Sequence, residues 1–296
     1  VLIDAQKHFA AAVEACLLVC EFSPQFVRRE CSISPGFEAH YECVIGYRHG
    51  DIIADVDRYD KWSHLRGISS YKWRSGIKHD CSKVMEFRTE EGRLRNGLNE
   101  AVDIEETFLY PIFKSSEIAN GMVSKATRCV LVPQRRVGDD TSVIERNAPK
   151  TWAYLESHCK RLDARGSVIY TGRPPFSIFG IGDYSFAPWK VAISGFYKRL
   201  SFNVIGSFDN RPAMLDDTVY FLPCQSQNEA KLLADILNSE VAQNFFRAFI
   251  FWDAKRPITV SLLNQLSIER LAAELGRASE LAAVASSRQL MLTENT

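Results

Sequence analysis

The sequence predicts an α+β fold, in which an irregular, twisted and mostly antiparallel sheet is accompanied by helices near the C-terminal end. Two observations predict this class. Short β-rich segments follow one another with Gly, Pro and Asp between them, and strand and helix do not alternate regularly. The clearest helical periodicity comes after residue 225, beyond all of these segments.

The strand predictions begin near the N-terminus. The continuous apolar run at 15–20 is typical of a strand buried inside a sheet. Two β-rich segments, 41–47 and 52–56, flank a short turn containing Gly50 and predict a hairpin. Five further strands are predicted at 129–132, 167–170, 176–179, 191–197 and 219–222.

The helix predictions lie near the C-terminus. Ser226 and Glu229 form a capping-box pattern, and apolar residues then recur at helical spacing as far as Phe249, which predicts one long helix. A second helical segment is expected at 261–275, with Gly276 as its cap. The residues after Leu281 are polar, so we expect a frayed tail.

Composition limits the class of protein. The 296 residues are 46% hydrophobic, which is ample for a buried core, and no apolar run approaches the roughly 20 residues that span a bilayer. Eight cysteines without a CxxC pair predict reduced, mostly buried thiols in a cytoplasmic protein. The 36 basic and 36 acidic side chains cancel, so a nucleic-acid surface requires local segregation of charge.

Hydrolytic chemistry is one alternative for this sequence. His79 and Asp80, or Asp216 and Asp217, could serve a metal-dependent hydrolase, although a polar loop and a capped turn are the favoured interpretations. Methylation of a base amine uses a Pro-Pro loop that begins with Asn, Asp or Ser. The segment 173–176, Arg-Pro-Pro-Phe, lacks that residue, so we interpret it as a turn before a strand.

Clusters of cationic and aromatic residues on predicted loops offer a different chemistry. Arg and Lys neutralise phosphates, Gln and Arg form paired hydrogen bonds with base edges, and aromatic rings stack. The candidate DNA-binding residues are Lys72, Trp73, Arg74, Lys78, His79, Gln134, Arg135, Arg136, Tyr184, Trp189, Lys190 and Lys198.

Four stretches carry a resemblance to a known family. The most specific is 176–192, Phe-Ser-Ile-Phe-Gly-Ile-Gly-Asp-Tyr-Ser-Phe-Ala-Pro-Trp-Lys-Val-Ala. The others are 73–80 with 109–111 and 114–116, then 252–259, and 237–239. Together they resemble the C-terminal target-recognition, or specificity, region of gamma-class adenine DNA methyltransferases, including Type IIG restriction-modification enzymes of bacteria. The resemblance covers about residues 65–275.

The resemblance implies how the chain is organised. Residues 1–66 would be a remnant of the last strands of a methyltransferase domain, 67–276 the target-recognition domain and 277–296 a C-terminal tail. The sequence starts at Val1 in ordered-looking sequence without Met, so we expect a fragment whose catalytic loop lies upstream. No cofactor is expected in this chain, and S-adenosylmethionine is expected in the parent enzyme.

The resemblance also implies a function and partners. The chain would recognise a double-stranded DNA sequence and present its adenine to a catalytic methyltransferase domain, in cis or in trans, with a nuclease domain as a further partner and no membrane. The alternative is a free-standing specificity subunit that recruits separate methyltransferase and nuclease chains.

Overall fold

A computed structural model describes residues 1–13, 15–19, 29–34, 36, 42–90 and 92–294, with the backbone alone at 287–294. The strands are, in chain order, β1 (Leu2–Ile3), β2 (Ala15–Cys16), β3 (Glu30–Ile33), β4 (Cys43–Arg48), β5 (Asp51–Ile53), β6 (Arg74–Ser75), β7 (Glu86–Glu90) and β8 (Arg93–Asn96). They continue as β9 (Ala101–Val102), β10 (Leu109–Phe113), β11 (Arg128–Leu131), β12 (Trp189–Ser194), β13 (Asn203–Ile205), β14 (Met214–Leu215) and β15 (Val219–Cys224).

The helices lie between and after these strands. They are α1 (Ala5–Phe9), α2 (Val56–Trp62), α3 (Ser82–Met85), α4 (Ser115–Ala119), α5 (Val143–Asn147), α6 (Pro149–Ser157), α7 (Cys159–Asp163), α8 (Gln227–Leu237), α9 (Glu240–Phe249), α10 (Val260–Leu263), α11 (Ile268–Glu274) and α12 (Ala278–Glu294). Short 3₁₀ turns are Ser63–Leu65, Glu106–Phe108, Val168–Tyr170 and Asp183–Phe186.

Two sheets form the centre of the molecule. The larger has the strand order β14-β10-β11-β7-β8-β9 and is antiparallel except where β10 pairs with β14. The smaller has the order β13-β12-β15-β6 and is antiparallel throughout. A three-stranded sheet, β3-β4-β5, and the pair β1-β2 lie in the N-terminal part. The predicted α+β class with a mostly antiparallel sheet is confirmed.

Each of the two large sheets has its own apolar core. Phe87 and Val130 of the larger sheet pack with Ile144 and Leu155 of α5 and α6. On the smaller sheet the core contains Val191, Leu222, Leu233, Phe245 and Leu271, which come from β12, β15, α8, α9 and α11. The helices of each group bury the apolar stripe that their spacing predicts.

The two sheets meet where three backbone segments come close together. Gly76 N–H donates to Val219 O at 2.9 Å, and Ile77 N–H donates to Leu215 O at 2.7 Å. Lys78 and Phe179 exchange both backbone hydrogen bonds at 2.8 Å. We name this region the glycine crossing, comprising residues 76–78, 178–180 and 215–216. A Cβ on Gly76 would lie 2.2 Å from two carbonyl oxygens, so the crossing requires glycine there.

Several strand predictions are confirmed with adjusted ends. The hairpin is β4-β5, and its two-residue turn, His49-Gly50, has positive φ at both positions, as the twist of a hairpin favours. Tyr41 of that prediction lies outside the described residues. The strands predicted at 129–132, 191–197 and 219–222 correspond to β11, β12 and β15.

Three strand predictions are wrong. Residues 167–170 form a 3₁₀ turn in which Val168 is 84% exposed. Residues 176–179 form a turn with a single bridge to Lys78, because Phe176 has a left-handed φ of 62° that a strand does not accept. Within 15–20, β2 covers only Ala15–Cys16, and the apolar residues at 17–19 are exposed, not buried. Position 20 lies outside the described residues.

Each of the two predicted helical segments consists of two helices in the structure. The long helix is two helices, because the Asn238 side chain bonds to both backbone groups of Phe202 and Ser239 caps a new start at α9. The second segment is likewise α10 and α11, with Ser267 capping the latter. Gly276 ends α11 with a φ of 70°, as predicted. The expected frayed tail is instead the helix α12.

Helix α2 lies just before the domain boundary that the resemblance implies at residue 66. Arg58 of α2 donates to the side chain of Asn244 in α9 at 2.6 Å, and Val56 and Tyr59 share a small core with Ala248. The division at residue 66 stays a prediction. The expectation of mostly buried thiols is wrong for the described cysteines, since Cys224 is buried while Cys16 and Cys31 are exposed and four others are half-buried.

We predict that Gly76→Ala destabilises the fold by about 3 kcal/mol, because the backbone carbonyls of Leu215 and Asp216 cannot make room for the added methyl group. Urea unfolding measures the change. Gly166→Ala is the matched control: nothing lies within 4 Å of the new Cβ, so its effect should stay within about 0.5 kcal/mol. Equal stabilities of the two variants would contradict the role of the crossing.

Candidate nucleic-acid interface

The 3₁₀ turn Asp183–Phe186 collects side chains from three of the predicted basic loops. Arg74 lies 4.7 Å from the centre of the Tyr184 ring, and Arg135 lies 4.1 Å from the centre of the Phe186 ring. Arg136 forms an ion pair with Asp183 at 2.5 Å. We call these six residues the three-loop surface. Residues from 74, 135–136 and 183–186, far apart in sequence, thus form one cationic and aromatic patch.

Buried polar groups hold the loop that carries two of these arginines. The Gln134 amide donates to Arg136 O at 3.0 Å and its oxygen accepts from Ile178 N–H at 3.3 Å. The Asp139 carboxylate accepts from the backbone N–H groups of Arg135 and Arg136. The loop is therefore fixed to the 178–180 segment of the glycine crossing. Its guanidinium groups remain at the surface.

Four of the sequence-predicted contact residues are buried. Trp73 packs on Phe202 in the core of the smaller sheet, and His79, Gln134 and Lys190 are 6%, 5% and 1% exposed. These side chains are buried in this structure, so the expectation that they contact DNA directly does not hold for them as they are placed here. Sequence alone could not identify them as buried, because their burial depends on tertiary packing that the local pattern of charged and aromatic residues does not encode.

The remaining predicted residues lie in different places. Lys72 is exposed two residues before β6, and Lys78 is half-buried and pairs with Asp80 at 3.1 Å. Trp189 is half-buried and its ring packs on Gly206. Lys198 is exposed and pairs with Asp253 at 3.3 Å, in a loop pair where Arg256 stacks on Phe196. Lys198 thus belongs to a separate cationic cluster.

Sequence analysis missed two residues that extend the three-loop surface. Tyr110 contacts Phe186 edge-on, with ring centres 5.4 Å apart, and Arg211 lies 5.9 Å from the centre of the Tyr110 ring. Arg211 also donates to the backbone oxygens of Glu106 and Leu109. Neither residue lies in a basic cluster of the sequence. Only the packing of β10 against the 183–186 turn brings them to this patch.

Two of the polar residues considered for hydrolysis, His79 and Asp216, belong to a buried ionic network. His79 Nε2 lies 3.0 Å from Glu86 Oε1, and Lys114 Nζ contacts Glu86 at 2.5 Å and Asp216 at 2.6 Å. Burial alone would raise the pKa of Glu86, but hydrogen bonds from His79 and Lys114 and the charge of Lys114 lower it overall. Burial would likewise raise the pKa of Asp216, which Lys114 lowers. The network joins β7, β10 and the glycine crossing.

The predicted capped turn at 216–218 is confirmed. Asp216 Oδ1 accepts from the backbone N–H of Thr218 at 3.1 Å and from its hydroxyl at 2.8 Å. Both Asp216 oxygens are therefore engaged, one with Thr218 and the other with Lys114. Throughout the described ranges, no three His, Cys, Asp or Glu side chains are grouped so that they could hold a metal ion. Nor does any helix within those ranges have the length and apolar character needed to cross a membrane.

The chain is 45% identical, over 271 residues or 91% of its length, to the Type II methyltransferase M.NspV of Nostoc sp.. It spans 56% of the length of that relative. This chain is similar to a Type II methyltransferase. No protein-family profile matches the sequence.

Among solved structures, the chain is similar to the Type IIL restriction-modification enzyme MmeI in complex with DNA. The TM-score is 0.42 at 15% sequence identity, and the alignment covers 68% of this chain and 26% of MmeI.

The burial of Lys190 predicts how folding stability depends on pH. Burial lowers the pKa of Lys190 to about 7, and its ammonium has the carbonyl of Ala187 at 2.7 Å as hydrogen-bond acceptor. Because the folded pKa lies below the ordinary lysine value of 10.5, the lysine opposes folding increasingly as the pH falls from about 10.5 to 7. We predict that Lys190→Met stabilises the chain more at pH 7 than at pH 9.5, measured by urea unfolding. Lys198→Met, at an exposed site, should show no such difference between the two pH values. Equal dependence of stability on pH in the two variants would contradict the claim that burial lowers the pKa of Lys190.

Proposed function

We propose that this chain is the DNA-recognition part of an adenine-specific DNA methyltransferase in a restriction-modification system. The three-loop surface carries the proposal, because it gathers cationic and aromatic side chains from three separated loops on a rigid support. The similarity to a Type II methyltransferase over 91% of the chain supports the same function. The resemblance of residues 176–192 to the specificity region of adenine methyltransferases adds the target base.

The chemistry of the surface fits recognition of duplex DNA. Arg135 stacks on Phe186 with no acidic partner among the described residues, so the edge of its guanidinium is free to bond to a guanine or a phosphate. Arg136 donates two hydrogen bonds to the Asp183 carboxylate at the surface, which orients its guanidinium. Rigid placement of such groups lowers the entropy lost on binding. Arg135 is therefore the strongest candidate for reading a base, and Arg74 for contacting the backbone.

Methyl transfer itself would be performed by a catalytic domain. In this proposal the chain grips the duplex, and the adenine flips into that domain, which would bind S-adenosylmethionine. The residues of the three-loop surface would hold the flanking base pairs. No residue of this chain is assigned a catalytic role.

Selection from random duplexes tests the proposal. The chain is incubated with a random pool at low and moderate salt, and the bound fraction is sequenced. We predict an enriched short motif whose affinity falls with salt. If the chain enriches no motif, alone and again when joined to a methyltransferase domain, the proposed recognition is wrong.

Arg135→Ala tests base reading directly. Loss of a paired contact to a base costs about 1–3 kcal/mol and relaxes the preference at one position of the enriched motif. Competition binding with duplexes changed at each position measures this loss. Arg161→Ala, an exposed arginine on α7, is the matched control and should leave affinity and preference unchanged. An equal loss on every duplex would show that Arg135 contacts phosphate and does not read a base.

A further inference from the structure

A row of three arginines crosses the larger sheet. Arg128 on β11 lies directly opposite Arg88 on β7, and Arg88 lies directly opposite Arg95 on β8. Residues directly opposite on antiparallel strands point to the same face, about 5 Å apart. Like charges in these positions repel each other and destabilise a sheet. A row of this kind therefore lowers the stability of the fold unless a bound anion neutralises its charge.

The arginine row lines a cleft of 510 Å³. Lys83 of α3 and the turn after β8 also line it and pack against each other. Gly97 of that turn approaches so closely that a Cβ would lie 2.7 Å from Lys83 Cα. Asn96 fixes the turn by accepting from the N–H groups of Leu98 and Glu100. The cleft is thus built on rigid elements.

The charges in this cleft are strongly unbalanced. Five basic residues line it, against the acidic Glu86 and Glu90. Glu86 is engaged by His79 and Lys114, and Glu90 pairs with Arg95 at 3.5 Å. Among the described residues, no acidic side chain lies within ion-pair distance of Arg88, Arg128 or Lys83. In a chain whose charges cancel overall, this is the local segregation that a polyanion requires.

The cleft continues toward the three-loop surface. Arg128 lines both this cleft and a groove of 720 Å³, which also contains Lys125, Tyr110 and Arg211. Tyr110 in turn lines a third groove of 490 Å³, together with Arg135 and Phe186. Cationic side chains therefore follow a path from the arginine row to the loop that is proposed to read bases. A path of this kind fits a phosphodiester chain better than a small anion.

We infer that the face carrying Arg88, Arg95 and Arg128 binds the phosphate backbone of the same DNA duplex that the three-loop surface reads. This inference rests on the proposed function and adds a second, sequence-independent contact to it. Arginine suits this role because its planar fork matches phosphate oxygens. The repulsion within the row is relieved when phosphates bind, so part of the cost in folding stability is recovered on binding.

The test compares Arg88→Gln/Arg128→Gln with wild type, using the duplex enriched by selection and a scrambled duplex of the same length. We expect the affinity of the variant for both duplexes to fall by the same factor, roughly tenfold at low salt. The slope of log K against log salt should fall by about two, and the preference for the enriched duplex should not change. Lys160→Gln/Lys231→Gln removes two exposed cations elsewhere and should change none of these quantities.

Thermal melting supplies a readout that does not need DNA. Removing two opposed arginines should leave the melting temperature unchanged or raise it, and inorganic phosphate should stabilise wild type more than the variant. If the double variant does not melt cooperatively, Lys83→Gln, outside the sheet, replaces it in the binding assay, with a slope lowered by about one.

The outcomes separate the two proposals. Unchanged affinity and salt slope in the variant, with intact selective binding by wild type, overturn the arginine-row inference and leave the proposed function standing. Non-selective binding by wild type that depends on the row supports the inference and overturns sequence recognition. If inorganic phosphate stabilises wild type more than the variant but the two bind DNA with equal affinity, the row binds a free anion. That result would overturn the inference that the row contacts the DNA backbone. Wild type that binds no duplex overturns both.

Discussion

Close packing of the backbone at the glycine crossing is the constraint on which the other features depend. Residue 76 must lack a side chain, since carbonyl oxygens of Leu215 and Asp216 occupy that space, and Gly180 lies against the carbonyl of Gly76. Arg74 lies just before the crossing and Lys78 lies within it in the same segment, and the 178–180 segment leads directly into the 183–186 turn. The third segment leads to Asp216 and its ion pair with Lys114. A single packed junction thus fixes the three-loop surface and the buried ionic network in one geometry.

Electrostatics in this molecule follow burial. The charges of the buried network are paired: Lys114 lies between Glu86 and Asp216, and this pairing offsets the cost of removing them from water. Lys190 differs from this network, since burial lowers the pKa of its ammonium and its hydrogen-bond acceptor is a backbone carbonyl. At the surface the situation is reversed, because Arg88 and Arg128 face each other across two strands. A neutral chain therefore carries a cationic path, and attraction along that path would be strong at low salt and weak at high salt.

The sequence predicted much of the fold, but it could not predict which residues come together. The hairpin at 43–53 and the caps at Ser226 and Gly276 depend on local chemistry, so local patterns were sufficient. The strand predicted at 176–179 was wrong because the left-handed φ of Phe176 is imposed by the fold around it. Burial of Trp73 and Lys190 depends on tertiary packing around β6 and β12, and the row from Arg88 to Arg128 depends on register between strands. Neither burial nor register can be read from a single sequence, because both depend on which strands and helices pack together.

Amide hydrogen exchange of the whole chain, with and without excess duplex DNA at low salt, tests the central claim most directly. The claim is that the three-loop surface and the arginine row contact one duplex together. It predicts slower exchange on DNA binding at 72–80, 133–137 and 183–190, and also at 86–97 and 125–129, with helices α8 to α11 unaffected. Slowing confined to those helices, or absent from both surfaces while DNA is bound, would contradict it.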